Sequence, residues 1–376
     1  MADFNTLAHS LLLPATQPFR LPQSLIYFVT SRCNADCDFC LYHTQLNNAA
    51  TRHSELTPEE VNKVAALYGP LHYLGLSGGE PFIRKDLADL CQAFVKHCNV
   101  QVIDIPSNFF YGERMETFVH TFCSQNPYTT LDLQLSLDHL GEKHDQSRKV
   151  TGLFAKAMVN FQQLSALKKQ YQHLRLKVNV VFLPSNKYDL RQILAQLQIL
   201  LPFDRIQLTY PHELLSQQLP EESLSTDDLK LFFDLAQTAD QMQPQTPHPD
   251  LYTLGLRALK KTYRQLLEQA LIGTKKTGTY CEAGKHIAVM TEAGDVYPCE
   301  ILWNEKIGNV REANYNISKL LKAEAYKKFR AKYLGQTSNC NCTWSCAINS
   351  EVSVHYKYFP KMAANALGLL LKPNTG

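Results

Sequence analysis

Three cysteines, Cys33, Cys37 and Cys40, fall within eight positions of "TSRCNADCDFCLYH". Thiolates are the soft ligands that zinc and iron–sulfur clusters select. A Cys-x3-Cys-x2-Cys loop at a strand end can fold three of them around one centre. Structural zinc asks for four protein ligands, and His43, three residues after Cys40, could supply the fourth. An iron–sulfur cube held by three cysteines instead leaves one iron open for a substrate or cofactor. Spacing leaves both readings in place and favours iron–sulfur.

A second group lies far downstream. Cys281 and Cys299 bracket "CEAGKHIAVMTEAGDVYPC", and "SNCNCTWSC" adds Cys340, Cys342 and Cys346. Two β-like runs around Ala-Gly-Asp read as a hairpin. A hairpin with a cysteine at either end brings both thiols to one side, where a later loop can complete a four-thiolate zinc or iron–sulfur site. The remaining cysteines, Cys91, Cys98 and Cys123, read as buried small hydrophobes.

These groups need a scaffold, and the chain is long enough to build one. Its 376 residues and net charge of +3 fit an ordinary globular protein and give no electrostatic case for nucleic acid or an acidic membrane surface. No apolar run is long enough to span a bilayer, and the Leu-rich start breaks at Pro14 without a signal-peptide layout. The expected location is cytoplasmic, where a disulfide framework is not expected.

From Leu25 to Leu208, β-rich runs alternate with helical stretches. "LIYFVT", "LHYLGLS", "VQVIDIPS", "LDLQLSLD", "LRLKVNVVFLP" and "DRIQLTY" read as six strands with five helices between them. That is the pattern of βα units around a parallel sheet. Six units suit an α/β fold with a partial, open (β/α)6 TIM-like barrel, with the site at the C-terminal strand ends. We divide the chain into an N-terminal extension (1–24), the barrel (25–215), a helical linker (216–275) broken at "QPQTPHPD", a small α+β hairpin-containing module (276–350), and a tail (351–376) that can dock as a helix.

The cysteine loop, the aromatic Phe39 before its third cysteine, and "LSGGEPF" at the next strand end together resemble the radical S-adenosylmethionine (SAM) superfamily. The resemblance implies that Cys33, Cys37 and Cys40 bind a [4Fe–4S] cluster whose fourth iron is chelated by SAM. Reduction then cleaves SAM to methionine and a 5′-deoxyadenosyl radical that abstracts hydrogen from the substrate. It also implies that Gly78, Gly79 and Glu80 hold the SAM amino group. "IPSNFF" resembles the family's Ser/Thr-Asn-Gly stretch, giving Ser107 and Asn108 as cofactor contacts, with Phe109 where glycine is usual. "LSLDHLGEKHDQSRKVTGLF" matches a further family stretch at Ser136, Asp138 and Arg148, with His139 where glycine is common. Arg148 suits the methionine end of SAM, because Arg clamps carboxylates bidentately. In "VNVVFLPSN", Asn179 or Asn186 is expected near the adenosine.

The second cysteine group resembles the SPASM and twitch extensions of the same enzymes, which carry auxiliary iron–sulfur clusters. Cys281-x12-Gly294-x4-Cys299 and the following Ile-Gly-Asn match. The downstream Cys-x-Cys-x3-Cys is shorter than in a full SPASM domain, so one auxiliary cluster is expected, [4Fe–4S] favoured. Cys281, Cys299 and Cys346 are its safest ligands, with Cys342 preferred to Cys340.

The resemblance implies a radical SAM oxidoreductase or modifying enzyme acting on a peptide or small natural-product intermediate. It implies an electron donor such as flavodoxin or ferredoxin. Only 32 residues precede Cys33, too few for the winged-helix leader-binding domain of many peptide modifiers, so a separate recognition protein could supply that function. Tyr210 and His212 in "LTYPHE" are the acid/base candidates at the sixth strand end. A redox-neutral radical reaction, such as epimerisation or carbon–carbon bond formation, is the enzyme alternative. A zinc-bearing binding scaffold is the alternative from another class, and it leaves "SGGEP" and Arg148 without a task.

Overall fold

The computed structural model describes residues 21–47, 54–211, 225–242, 251–272, 281, 283–333, 348, 351–353 and 355–370. One mixed sheet organises them. Six parallel strands run β1 (Ser24–Thr30), β2 (Tyr73–Gly78), β3 (Val102–Ser107), β4 (Thr130–Ser136), β5 (Leu174–Val181) and β6 (Arg205–Thr209), each paired with the next. Helices α1 (Pro58–Tyr68), α2 (Leu87–Cys98), α3 (Gly112–Gln125), α4 (Glu142–Arg148), α5 (Leu153–Leu167) and α6 (Leu190–Leu200) connect them. The sheet does not close on itself: β6 forms one edge. The expected open (β/α)6 barrel is therefore present.

The hairpin module continues this sheet. Strand β7 (Ile287–Met290) pairs parallel with β1, and β8 (Asp295–Tyr297) and β9 (Gly308–Asn309) follow antiparallel. Strand β1 is thus flanked on both sides, and its residues from Leu25 to Thr30 are all buried.

Local chemistry explains the elements. Helix α1 starts with a reciprocal capping box between Thr57 and Glu60, followed by Pro58, which satisfies backbone N–H groups that a helix start leaves unpaired. Strands β3 to β5 place Ile103, Ile105, Leu131, Leu133, Leu135, Leu176 and Val178 in the core, all fully buried. The alternate residues are mostly polar, among them Asp104, Asp132, Gln134, Ser136, Lys177 and Asn179. Residues i and i+2 share a face of a strand, so the second face is a polar lining rather than a second apolar core.

Past the barrel, α7 (Thr226–Gln241) and α8 (Leu251–Leu271) occupy part of the expected linker. Helices α9 (Ile317–Leu320) and α10 (Glu324–Tyr333) follow the hairpin. The tail forms α11 (Phe359–Leu370), docked on α8 by a hydrogen bond from Asn365 Nδ2 to Thr262 Oγ1 at 2.9 Å. Among the described residues no helix is long and apolar enough to cross a membrane.

Candidate active site

The cysteine loop leaves the C-terminal end of β1 and is folded by its own backbone. Cys40 N donates to Cys37 O and His43 N to Cys40 O, both at 3.1 Å, so the last two cysteines sit in successive turns. Gly79 N donates to Thr30 O at 2.8 Å and Glu80 N to Arg32 O at 2.9 Å, which ties the loop to the end of β2. This approach explains the paired glycines. A Cβ on Gly78 would lie 2.3 Å from Thr30 O, and one on Gly79 would lie 2.1 Å from Arg32 O. Gly78 also has φ of +121°, in the region that side chains avoid.

The three cysteines carry free thiols, with Cys37 buried and Cys33 and Cys40 half-buried. Burial pushes the Cys33 thiol up to about 12 and the Cys40 thiol up to about 11, and it raises Cys37 too. Arg148 pulls Cys37 and Cys40 back towards the thiolate. A bound metal centre acts in the same direction and deprotonates coordinating thiols outright. Among the described residues no group of three His, Cys, Asp or Glu side chains is gathered for a single ion, although Cys37 and Cys40 are close enough to raise the pKa of Cys33 and so oppose its ionisation. His43 Nε2 lies 3.2 Å from Asp36 Oδ1, a hydrogen-bond contact at the surface. A thiol-only donor set in a buried loop beside a cation fits an anionic iron–sulfur cluster.

The neighbouring strand ends brace this loop. Glu80 is 2% exposed, and its carboxylate accepts from Phe82 N, Ser107 Oγ and Asn108 N at 3.1, 2.9 and 2.9 Å. Burial raises its pKa while these donors lower it. Asn108 Nδ2 donates to Asn34 Oδ1 at 2.9 Å, inside the cysteine motif. Phe109 takes the glycine conformation at φ +57°. Its ring is fully buried and stacked on Phe161, and its carbonyl accepts from Asn160 Nδ2 at 2.7 Å. The departure from glycine therefore keeps the backbone shape that the motif implies.

Arg148, at the end of α4, donates from Nη2 to Asp138 Oδ2 at 2.5 Å, with its guanidinium 5.7 Å from the Phe39 ring centroid. Its carbonyl accepts from Asp36 N at 3.2 Å. Lys149, at φ +56°, adds ion pairs to Asp36 and Asp38. Ser136 and Asn179 are register partners on β4 and β5, and Asn179 Oδ1 accepts from Thr209 Oγ1 at 2.6 Å. Asn186 is 1% exposed and bridges Asp138 O, Val181 O and Leu183 N, which closes the turn after β5. Tyr210 packs against Phe182 and Phe232. His212 lies outside the described residues.

The second cysteine group is described at Cys281, half-buried, and Cys299, which is 3% exposed. Gly284 N donates to both Ile287 O and Pro298 O, which brings the Cys281 segment against the end of the hairpin. Tyr326 of α10 seals this turn by donating to Gly284 O at 2.9 Å. Cys340, Cys342 and Cys346 lie outside the described residues. The two regions meet in a buried contact that the sequence did not signal. Tyr42, two residues after Cys40, donates to Glu292 Oε2 at 2.6 Å, and its ring lies 5.5 Å from that of Trp303. Asn34, Tyr42, Lys149, Tyr111 and Glu292 each lie within three residues of a recognised motif position, but nothing in the sequence pairs Tyr42 with Glu292.

The comparisons agree with this geometry. The radical SAM superfamily model matches residues 27–197, and the iron–sulfur cluster-binding SPASM domain matches 281–347. The chain belongs to the radical SAM superfamily and carries a SPASM domain. Membership implies a [4Fe–4S] cluster and SAM, and the SPASM domain implies auxiliary iron–sulfur binding. GTP 3′,8-cyclase from Aquifex aeolicus (strain VF5) is 32% identical over 91 residues, 23% of this chain and 28% of that protein. The match thus spans little more than a quarter of that relative. Among solved structures, native anSMEcpe with bound AdoMet aligns at a TM-score of 0.56 and 16% identity, covering 92% of this chain and 99% of the other. Native anSMEcpe with bound AdoMet and Cp18Cys peptide aligns at 0.53 and 15%, with the same coverage. These likenesses concern the fold.

Proposed function

We propose that this enzyme cleaves SAM reductively and uses the resulting radical to oxidise a peptide or a small natural-product substrate, assisted by one auxiliary iron–sulfur cluster. The observation that carries the reading is the joining of both cysteine regions to one seam, β1 beside β7, with Tyr42 hydrogen-bonded to Glu292 across it. Cys33, Cys37 and Cys40 would hold the first cluster. Cys281 and Cys299, with two of the downstream cysteines, would hold the second. The barrel over 25–215 and the module over 276–350 are the corresponding functional units. The cluster and SAM, when bound, supply the 5′-deoxyadenosyl radical that removes hydrogen from the substrate.

The chain's own residues have the following parts. Gly78 and Gly79 let the backbone approach the cofactor, and Glu80 offers a carboxylate to the SAM ammonium. Asn108 braces Asn34 within the cysteine loop, and Ser107 fixes Glu80. Asp138 orients Arg148 over Phe39, which places a cation beside the thiolates. Ser136 and Asn179 line the strand ends towards the adenosine. Tyr210, just past β6, and His212, two residues later in the sequence, are assigned as proton-handling groups for the substrate. An electron donor such as flavodoxin or ferredoxin supplies the reducing electron, and a separate recognition protein can deliver a peptide.

The fold likeness to a peptide-bound relative supports the peptide class. Anaerobic incubation of the reduced protein with SAM and the Cp18Cys peptide tests it. Peptide-stimulated formation of 5′-deoxyadenosine with loss of two hydrogens from the peptide mass is the expected result. An unchanged peptide mass with SAM still consumed moves the assignment to another substrate. A rearranged peptide of unchanged mass moves it to redox-neutral chemistry.

A further inference from the structure

Tyr111 was not among the residues singled out from the sequence, and its ring is held in a constructed position. It caps α3 from the loop after Asn108 and packs edge-on to Phe110 with ring centroids 5.1 Å apart. The Arg114 guanidinium sits 4.8 Å from its ring centroid. Arg114 in turn donates to Phe82 O and Ile83 O at 3.2 and 3.3 Å, in the turn that follows Gly-Gly-Glu-Pro. The ring is therefore clamped to the segment carrying Glu80. Its hydroxyl makes no hydrogen bond among the described residues, and the side chain is half-buried. Partial burial raises its pKa, and the nearby Glu80 and Cys33 raise it further against the opposing Arg114. The phenol stays protonated and acts as a donor.

The amino-acid end of SAM carries one cation and one anion. Glu80 answers the cation. Arg148, expected from the sequence to answer the anion, commits Nη2 to Asp138, keeps a buried Nε without a hydrogen-bond partner among the described residues, and is 7% exposed. We infer that Tyr111 is a cofactor-positioning residue whose hydroxyl donates to the carboxylate of the SAM methionine moiety. The inference rests on the radical SAM reading above. It assigns Tyr111 to holding the cofactor as a second donor beside Arg148, whose charge also balances the thiolates.

The test is equilibrium dialysis of anaerobically reconstituted holoprotein with SAM and, separately, with decarboxylated SAM, for wild type and Tyr111→Phe. The variant keeps the ring and its clamp, so iron content stays at the wild-type value. A hydrogen bond to a charged group predicts that Tyr111→Phe binds SAM about tenfold more weakly. Decarboxylated SAM binds both proteins equally, because it lacks the acceptor. Equal SAM affinity in the two proteins overturns the inference, as does an equal loss for both ligands, which would mark a packing effect. Wild-type holoprotein with full iron but no SAM binding overturns the underlying reading as well, so the two failures are distinguishable.

Discussion

The two cysteine regions are built in opposite ways. Cys33, Cys37 and Cys40 share one loop, and turns between near neighbours set their spacing. Cys281 and Cys299 lie on separate segments, and Gly284 near the first bonds to both β7 and the end of the hairpin. The first site is local and leans on strand ends for bracing, whereas the second exists only once tertiary structure has formed. Strand β1 joins them, since it carries the first loop at its end and pairs β7 at its side. On the proposed assignment, a three-ligand site with an open position would tolerate a local design, while a site needing distant ligands would inherit the stability of the sheet.

The largest effect that separates the two regions is catalytic. Cys33→Ala with Cys37→Ala and Cys40→Ala removes SAM cleavage to below detection. Cys281→Ala with Cys299→Ala leaves SAM cleavage in place and removes substrate oxidation. Chromatographic measurement of 5′-deoxyadenosine beside product mass distinguishes these outcomes, and equal loss of cleavage in both variants would erase the comparison.

Next in size is Phe109→Gly. Relief of a left-handed backbone returns about 1–2 kcal/mol, but losing a fully buried, stacked ring costs about 3–5 kcal/mol. A net destabilisation of about 2 kcal/mol is expected by denaturant titration. A stabilised variant would mean that packing contributes less here than strain.

The seam itself is probed by Tyr42→Phe. This change leaves the Glu292 carboxylate, 1% exposed, without the hydroxyl that donates to it, at a cost of about 1–3 kcal/mol. Because that bond joins both regions, unfolding of the two should soften together, read as parallel gains in hydrogen exchange at β1 and β7.

Smallest is Arg311→Met. Arg311 Nε and Nη2 donate to the two oxygens of Glu60 at 2.6 and 2.8 Å and link the hairpin module to α1. Arg311 holds the Glu60 carboxyl down at about 2, below its unfolded value. The stability this provides is full above the unfolded value, near 4.5, and is lost as pH falls towards 2. Arg311→Met should therefore lower stability by about 1 kcal/mol at neutral pH. It should also flatten the acid limb of a pH–stability profile between about 4.5 and 2. An unaltered acid limb would show that the pair does not couple module to barrel.

Much of the barrel was legible because its signals are local. Alternating β and helical periodicity, the Thr57 cap and the cysteine spacing all act over a few residues. The strand-end motifs at Glu80, Ser107, Asn108 and Arg148 were legible as a resemblance, and the structure brings their segments around one loop. What escaped depends on distant partners. No sequence signal placed β7 beside β1, because that register joins Ile26 to Val289. None linked Tyr42 to Glu292. The polar face of β3 to β5 was legible in "LDLQLS", which alternates strictly, but less so in β5, where "VNVV" breaks the alternation. Phe109 shows the converse: it stands where glycine is usual, yet it takes φ of +57° with its ring fully buried.

We propose two iron–sulfur sites of unequal design on one sheet, only the first of which activates SAM. Iron and sulfide content of anaerobically purified wild type and the Cys33/Cys37/Cys40→Ala variant, measured together with SAM cleavage, tests it most directly. About eight irons falling to about four are expected for two cubane clusters, with cleavage lost in the variant. Zinc in place of iron, or a reduced wild-type protein that does not cleave SAM, would contradict it.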